Sequence, residues 1–357
     1  MTRLVTADGP AALHQAGNFE KSGNGDLING PEIGLNIGGL SGRGRRLDSV
    51  TDWDPTTNED GTAASLALGD DVYIYAVPSG NGDGQANLLA SKNATVPDGF
   101  TAATSRKVSG FHFGRTRPLS EAHNSAYSPP TEIVWNSVWD LLNRPALAPV
   151  EGMARLKNGW WISIYLLSVG SGAGNETVPV SRYNATPIKD DVFARRDLPS
   201  IAANNGFFIP TASLFEEYAE GAPEGNDNDN DTAWADTSNS GPTATGTVAK
   251  AVSSWNIVDA AGNLFDWLDE QYNIGSGFSH RESDADVGMY SGANRGTVYS
   301  DDWRCARGGG HFGIGAQAGS GALIWNANPE NANGNVGLRG ASTSSRTTRT
   351  AKWFGWG

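Results

Sequence analysis

The chain of 357 residues has one cysteine, Cys305. A single thiol allows no intrachain disulfide and no zinc site built on cysteines. No apolar run approaches the length of about 20 residues that a membrane helix needs. The opening "MTRLVTADGPAALHQAGNFEK" lacks the apolar segment of a secretion leader, so synthesis in a cytoplasm without a signal peptide is expected, with no membrane insertion. Charged residues make up only 18 % of the chain and the formal net charge is −13. Nucleic acids and anionic membranes recruit basic surfaces, so nucleic acid is not an expected partner. The five histidines, His14, His112, His123, His280 and His311, are scattered, with no pair at helical metal-ligand spacing. No G-x-S-x-G nucleophile context occurs, and the glycine stretch "GGLSGRGRR" carries no P-loop lysine.

Glycine (46) and tryptophan (12) are abundant, a combination that points to an ordered, loop-rich globular protein. Residues 1–60 read as turns and short strands, an N-terminal segment with a possible assembly role. Residues 61–128 read as a small β-domain, on the alternating run Val72-Tyr73-Ile74-Tyr75-Ala76-Val77 and the strand-like "SRKVSGFHFG" at 105–114. The Pro/Ser-rich "RTRPLSEAHNSAYSPPT" (115–131) reads as a linker. Beyond it the texture turns apolar and aromatic. In "FIPTASLFEEYAEGAPEG" the spacing predicts a helix capped by Thr211, with Leu214, Phe215 and Tyr218 on one face and Gly221 and Pro223 ending it. Residues 342–357 form a polar, basic tail closed by three aromatics.

Two further stretches are candidate sites. The alternating Asp227, Asp229 and Asp231 could act as calcium ligands, although the glycine and bidentate glutamate of an EF-hand are missing; a solvated acidic loop is the blander reading. Adjacent Trp160 and Trp161 could belong to a binding face. On residue chemistry alone no active site is evident. The remaining puzzle is "WNANPENANGNVGLRGA" (325–341), where Asn326, Asn328, Asn331, Asn333 and Asn335 fall between a tryptophan and an ordered-looking segment.

Four segments occur in an order that is similar to the formylglycine-generating-enzyme branch of the C-type lectin fold: "IPTASLFEEYAEGA" (209–222), "GNLFDWLDE" (262–270), "WRCARGGGHF" (303–312) and "VGLRGA" (336–341). With "TSRKVSGFHFG", "VWDLLNRPALAPVEGMARLKNGWWISIYLLSV" and "SRYNAT", the stretch from Leu68 to Ala341 resembles the phage tropism determinants, receptor-binding proteins varied by diversity-generating retroelements. Residues 1–60 carry no segment of that resemblance.

The resemblance implies an α+β protein: a C-type lectin fold over 129–341, preceded by a small β-rich N-terminal domain, with a variable region at about 305–341. Diversification acts on template adenines and typically on asparagine codons. Gly310, Phe312, Gly313, Ile314 and Ala316 are compatible with mutated asparagine codons, and the five asparagines with unmutated ones. These ten positions, with Ile324, form the implied ligand-binding surface; Trp325, Gly337 and Arg339 fall at scaffold positions. The implied function is non-enzymatic recognition of a cell-surface protein or glycan, at a virion tail tip or another displayed position, with homotrimers one assembly it allows. No catalytic residue and no cofactor are expected, calcium excepted as above. Two rivals stand beside it. An oxidase of the formylglycine-generating type would need a cysteine pair or copper thiolates, where this chain has Cys305 alone. A structural virion or surface protein would carry a lectin-like domain only for assembly.

Overall fold

The computed structural model describes residues 13–38, 42–147, 150–225, 230–274, 302–329 and 333–345. Two small sheets open the chain. One pairs Leu13–Gln15, Ile33–Ile37 and Arg43–Leu47; the other pairs Glu20–Lys21, Ile28–Gly30 and Val50–Trp53. A third sheet is built on Asp70–Pro78, flanked by Ala86–Ser91 and Arg106–Arg115.

The alternation at 72–77 sends side chains into two different cores. Val72, Ile74 and Ala76 join one cluster with Phe19, Ile33 and Phe111. Tyr73, Tyr75 and Val77 join another with Trp161, Trp267 and Leu338. A strand with side chains on alternate faces is here apolar on both, because the sheet lies between the N-terminal layers and the C-terminal domain. Thr131–Ile133 and Trp139–Asp140 pair with Arg106–Arg115, so packing runs continuously across residue 128.

The linker reading of 115–131 does not hold. Arg117 is fully buried. Its Nε donates to the Val252 carbonyl at 2.7 Å, Nη1 to those of Glu121 and Asn124 at 2.7 and 2.9 Å, and Nη2 to that of Lys250 at 3.1 Å. A guanidinium with five donors in a fixed fork can hold such carbonyls together, and the polar composition serves a pinned loop.

The helix forms as its sequence indicates, over Ala212–Tyr218. Thr211 accepts the Leu214 N–H at 3.3 Å as N-cap, an arrangement that stabilises by about 1 kcal/mol. Leu214, Phe215 and Tyr218 are buried against Ile164, Val258 and Leu268. A second helix, Leu198–Ala203, has Pro199 in its first turn. Among the described residues no helix is long and apolar enough to cross a membrane.

The sheet that carries the candidate site has the order Gly319–Ala327, Asp302–Gly309, Phe265–Ile274, Val336–Gly337. Its first three strands are antiparallel neighbours, and the last pairs parallel with Phe265 and Asp266. Arg339 fixes this sheet to the rest. Its fully buried guanidinium donates through Nε to Asp266 Oδ2 at 2.7 Å. Nη1 reaches the Ser163 and Ile164 carbonyls, and Nη2 those of Val258 and Asp259, at 3.0–3.3 Å. Tyr218 donates to the same Asp266 oxygen at 2.7 Å. Burial in this centre pushes the Asp259 carboxyl up to about 6, against the pull of the Gly246 N–H, Asn263 and Arg339.

Candidate ligand-binding face

The two faces of the Gly319–Ala327 strand are unlike. Leu323 and Trp325 pack toward the Ala212–Tyr218 helix, while Ile324 packs on the opposite cluster with Phe265 and Ala327. Asn326 lies beside Arg307 of the neighbouring strand, whose Nη2 donates to Asn326 Oδ1 at 3.2 Å; Arg304 Nη1 donates to the Asn326 carbonyl at 3.3 Å. The Arg307 guanidinium sits 4.3 Å over the Phe265 ring, within the range of cation–π attraction. The His311 ring is 5.3 Å from Phe265 and 5.0 Å from Phe312, edge-on to the latter. Burial and the adjacent Arg307 cation hold the His311 imidazole down to about 4, so it is neutral at physiological pH.

The connection 310–318 is held by main-chain bonds. Phe312 N–H donates to the Asn263 carbonyl at 2.9 Å, and the Phe312 carbonyl accepts from Asp236 N–H at 3.2 Å. Gly262 N–H reaches the Gly309 carbonyl at 3.1 Å, and Gly225 N–H the Ala318 carbonyl at 3.0 Å. Glu224 Oε1 accepts from the Ser320 hydroxyl at 2.7 Å. Loop shape therefore depends little on the loop's own side chains, as a surface with changing residues requires. These supports were not apparent from the sequence. Asn263, inside "GNLFDW", was the one readable sign: it holds a positive φ of 57° and accepts the Thr243 N–H at 2.9 Å.

The structure grades the expected surface positions. Ala316, Asn328 and Asn333 are exposed; Phe312, Gly313, Ile314, Ile324, Asn326 and Asn335 are half-buried. Ile314 and Ile324 also touch the core, so changes there are felt more. Gly310 departs from the expectation. It is buried with φ +91°, and a Cβ would stand 2.6 Å from Ala318 Cα and Cβ, so it is a packing position that needs glycine. At Gly313 a Cβ would meet the His311 ring at 3.4 Å and the Asn239 carbonyl at 3.9 Å, both ordinary contacts. Nor do the asparagines follow one strand: only Asn326 lies within Gly319–Ala327, and Asn328, Asn333 and Asn335 belong to the following connection. The Asn335 carbonyl accepts from Phe265 N–H at 3.0 Å. Asn331 lies outside the described residues.

Trp325, Gly337 and Arg339 occupy framework sites. Trp325 packs on the Leu214–Phe215 cluster, and a Cβ on Gly337 would sit 3.1 Å from Leu264. Trp161 is fully buried, with Nε1 donating to Ser344 Oγ at 3.2 Å; it belongs to the core and to no binding face. Asp227 and Asp229 lie outside the described residues, as does the side chain of Asp231. Among the described residues no three His, Cys, Asp or Glu side chains gather in a metal-binding group. Cys305 is buried in the sheet, and burial raises its thiol pKa despite Arg195 nearby.

Comparison with known proteins agrees with this architecture. The family model described as Mtd second domain matches residues 36–140. Over 297 residues the chain is 29 % identical to the tail fiber receptor-binding protein of Bordetella phage BPP-1, covering 78 % of this chain and 72 % of that protein. The solved Major Tropism Determinant M1 variant superposes with a TM-score of 0.64 at 21 % identity, over 93 % of this chain and 85 % of that one. The U1 variant gives 0.60 at 20 % identity, over 96 % and 86 %. The resemblance to the major tropism determinant thus extends beyond the segments between Leu68 and Ala341, and the fold is α+β with a C-type lectin domain.

Proposed function

We propose that this chain is a receptor-binding protein, non-enzymatic, of a phage or prophage tail tip. It recognises a protein or glycan on a cell surface through Phe312, Gly313, Ile314, Ala316, Ile324, Asn326, Asn328, Asn331, Asn333 and Asn335. The observation that carries this reading is the division of labour in residues 305–341. Main-chain bonds and the buried Arg339 centre hold the backbone, while Ala316, Asn328 and Asn333 are exposed on it and Phe312, Gly313 and Asn326 half-buried. A preorganised backbone limits the entropy lost when a ligand binds. The similarity to a tail fiber receptor-binding protein supports the same reading.

An oxidase of the formylglycine-generating type does not fit these residues. Its chemistry needs paired cysteines or thiolate ligands for copper, and the single thiol here is packed in the sheet with a raised pKa. A buried thiol of that kind behaves as a small hydrophobe. The reading needs no cofactor, and it takes the virion tail as the place of action and a homotrimer as the assembly.

Diversification by a retroelement is part of the proposal, and sequencing tests it. Among sister isolates, substitutions should concentrate at Phe312, Gly313, Ala316, Asn326, Asn328 and Asn333, with Gly310, Trp325, Gly337 and Arg339 constant. A near-copy of residues 305–341 with asparagine codons at those positions should lie beside a reverse-transcriptase gene. Invariant sequence at all of them would favour a fixed structural role.

A further inference from the structure

Two aromatic pairs form a strip beside the Ala212–Tyr218 helix. Phe208 is 58 % exposed and meets Trp160 edge-on at 6.5 Å. Trp135 is 50 % exposed and lies 6.1 Å from Trp255. The helix joins the two pairs. Glu217 Oε2 accepts from Asn158, two residues before Trp160, at 2.7 Å, and Glu220 Oε2 accepts from Trp255 Nε1 at 3.4 Å. Glu216 is exposed on the same helix, and Lys157, exposed on the neighbouring turn, is an opposing charge. The strip is thus aromatic and, on balance, acidic. Of the four rings Phe208 and Trp135 are exposed and Trp160 and Trp255 half-buried, and exposed aromatics gathered in one patch are an interaction surface more often than isolated ones are.

The residues that follow Ser345 in sequence have the complementary chemistry. Ser344 Oγ donates to the Gly159 carbonyl at 2.6 Å, next to Trp160, and Ser344–Ser345 pairs with Arg144–Pro145. Residues 346–357 then read "RTTRTAKWFGWG": Arg346, Arg349 and Lys352 without an acidic residue, followed by Trp353, Phe354 and Trp356. The nine residues from Arg346 to Phe354 can extend about 30 Å, and the seven-residue helix is about 10 Å long. Every part of the strip is therefore within reach.

We infer that residues 346–357 dock in cis along the helix, their aromatics on Phe208, Trp160 and Trp255 and their bases against Glu216, Glu217 and Glu220. Tethering makes such a contact intramolecular and raises its effective concentration, and stacked aromatics with cations over indole rings stabilise it further. Because Leu323 and Trp325 face this helix while Ile324 packs on the opposite cluster, the docked segment lies behind the helix and leaves the ligand-binding face open. The inference stands whether or not that face binds a receptor.

Photo-crosslinking in the full chain tests it. Phe354 is replaced with p-benzoylphenylalanine, and a mixture of isotopically light and heavy chains is irradiated and mapped by mass spectrometry. Crosslinks within one chain to peptides containing Trp160, Phe208 or Trp255 are expected. High salt should reduce them, as should the tail variant Arg346→Glu/Arg349→Glu/Lys352→Glu, which alters only residues beyond the last strand. The expected reduction is about tenfold, corresponding to roughly 1.4 kcal/mol. Crosslinks between light and heavy chains, crosslinks to other surfaces, no crosslink, or a yield indifferent to salt and charge would each overturn it.

Discussion

Replacing Arg339 with Met keeps much of the side-chain volume and removes the charge, which isolates the electrostatic role of the scaffold centre. Three losses follow. Asp266 is 1 % exposed and, among the described residues, keeps only the Tyr218 hydroxyl as a side-chain partner. The carbonyls of Ser163, Ile164, Val258 and Asp259 lose their guanidinium donor. The segment after Val336–Gly337 loses its side-chain tie to Asp266 of the Phe265–Ile274 strand. Breaking a buried ion pair by removing one partner costs about 3–5 kcal/mol, and each buried carbonyl left unpaired adds about 1–3 kcal/mol where water cannot enter. These terms overlap, so about 4 kcal/mol is a floor. Against a typical total of about 5–15 kcal/mol, the variant should stand at the edge of unfolding. Urea denaturation followed by tryptophan fluorescence measures the change, and Arg339→Lys should recover little because an ammonium cannot reproduce the fork. A loss below about 1 kcal/mol would refute the assignment of Arg339 as the tie that holds the display backbone.

Asn326→Ala removes a single half-buried bond of 3.2 Å to Arg307; it should cost no more than about 1.5 kcal/mol, read from the same urea midpoint. Gly310→Asn forces a side chain against Ala318 and should lower that midpoint clearly, whereas Gly313→Ser should leave it in place. His311 has a folded-state pKa of about 4, below its ordinary 6.5. Between those values the unfolded chain binds more protons, so its contribution to stability is full at neutral pH and is lost as pH falls through that window. His311→Gln should therefore flatten the acid side of a melting-temperature profile, and an unchanged slope would count against a neutral His311 on the face. Cys305→Ser should leave cell binding intact, and loss of binding in a folded variant would point to thiol chemistry after all.

Local chemistry made several elements legible. The Thr211 cap and the spacing of Leu214, Phe215 and Tyr218 define the helix because both signals are contained within eight residues. The alternation at 72–77 marks a strand, but not that its two faces enter separate cores, which depends on layers far apart in sequence. Arg117 shows the limit of composition: a Pro/Ser-rich stretch looks like a linker until tertiary carbonyls are found around its guanidinium. The same limit applied to the face. The asparagines between Trp325 and Val336 share no single element: the strand ends at Ala327, and Asn328, Asn333 and Asn335 continue into a connection. Gly310 resembled a changeable position because glycine is compatible with a mutated asparagine codon, and only its positive φ and the approach of Ala318 show that its backbone requires glycine. The clamps from Gly225, Asp236 and Gly262 are main-chain contacts between distant segments, which side-chain patterns do not encode.

The central claim, that the side chains at 312–333 choose the ligand while the backbone is fixed elsewhere, is tested most directly by binding profiles across a panel of whole bacterial cells. The labelled parent chain would be compared by flow cytometry with a set of variants randomised at Phe312, Ala316, Asn326, Asn328 and Asn333, and with a control set altered at exposed residues of the N-terminal sheets. The account predicts face variants with distinct cell profiles and near-parental urea midpoints, and control variants with the parental profile. Face variants that share the parental profile, or that lose binding only as they lose stability, would contradict it.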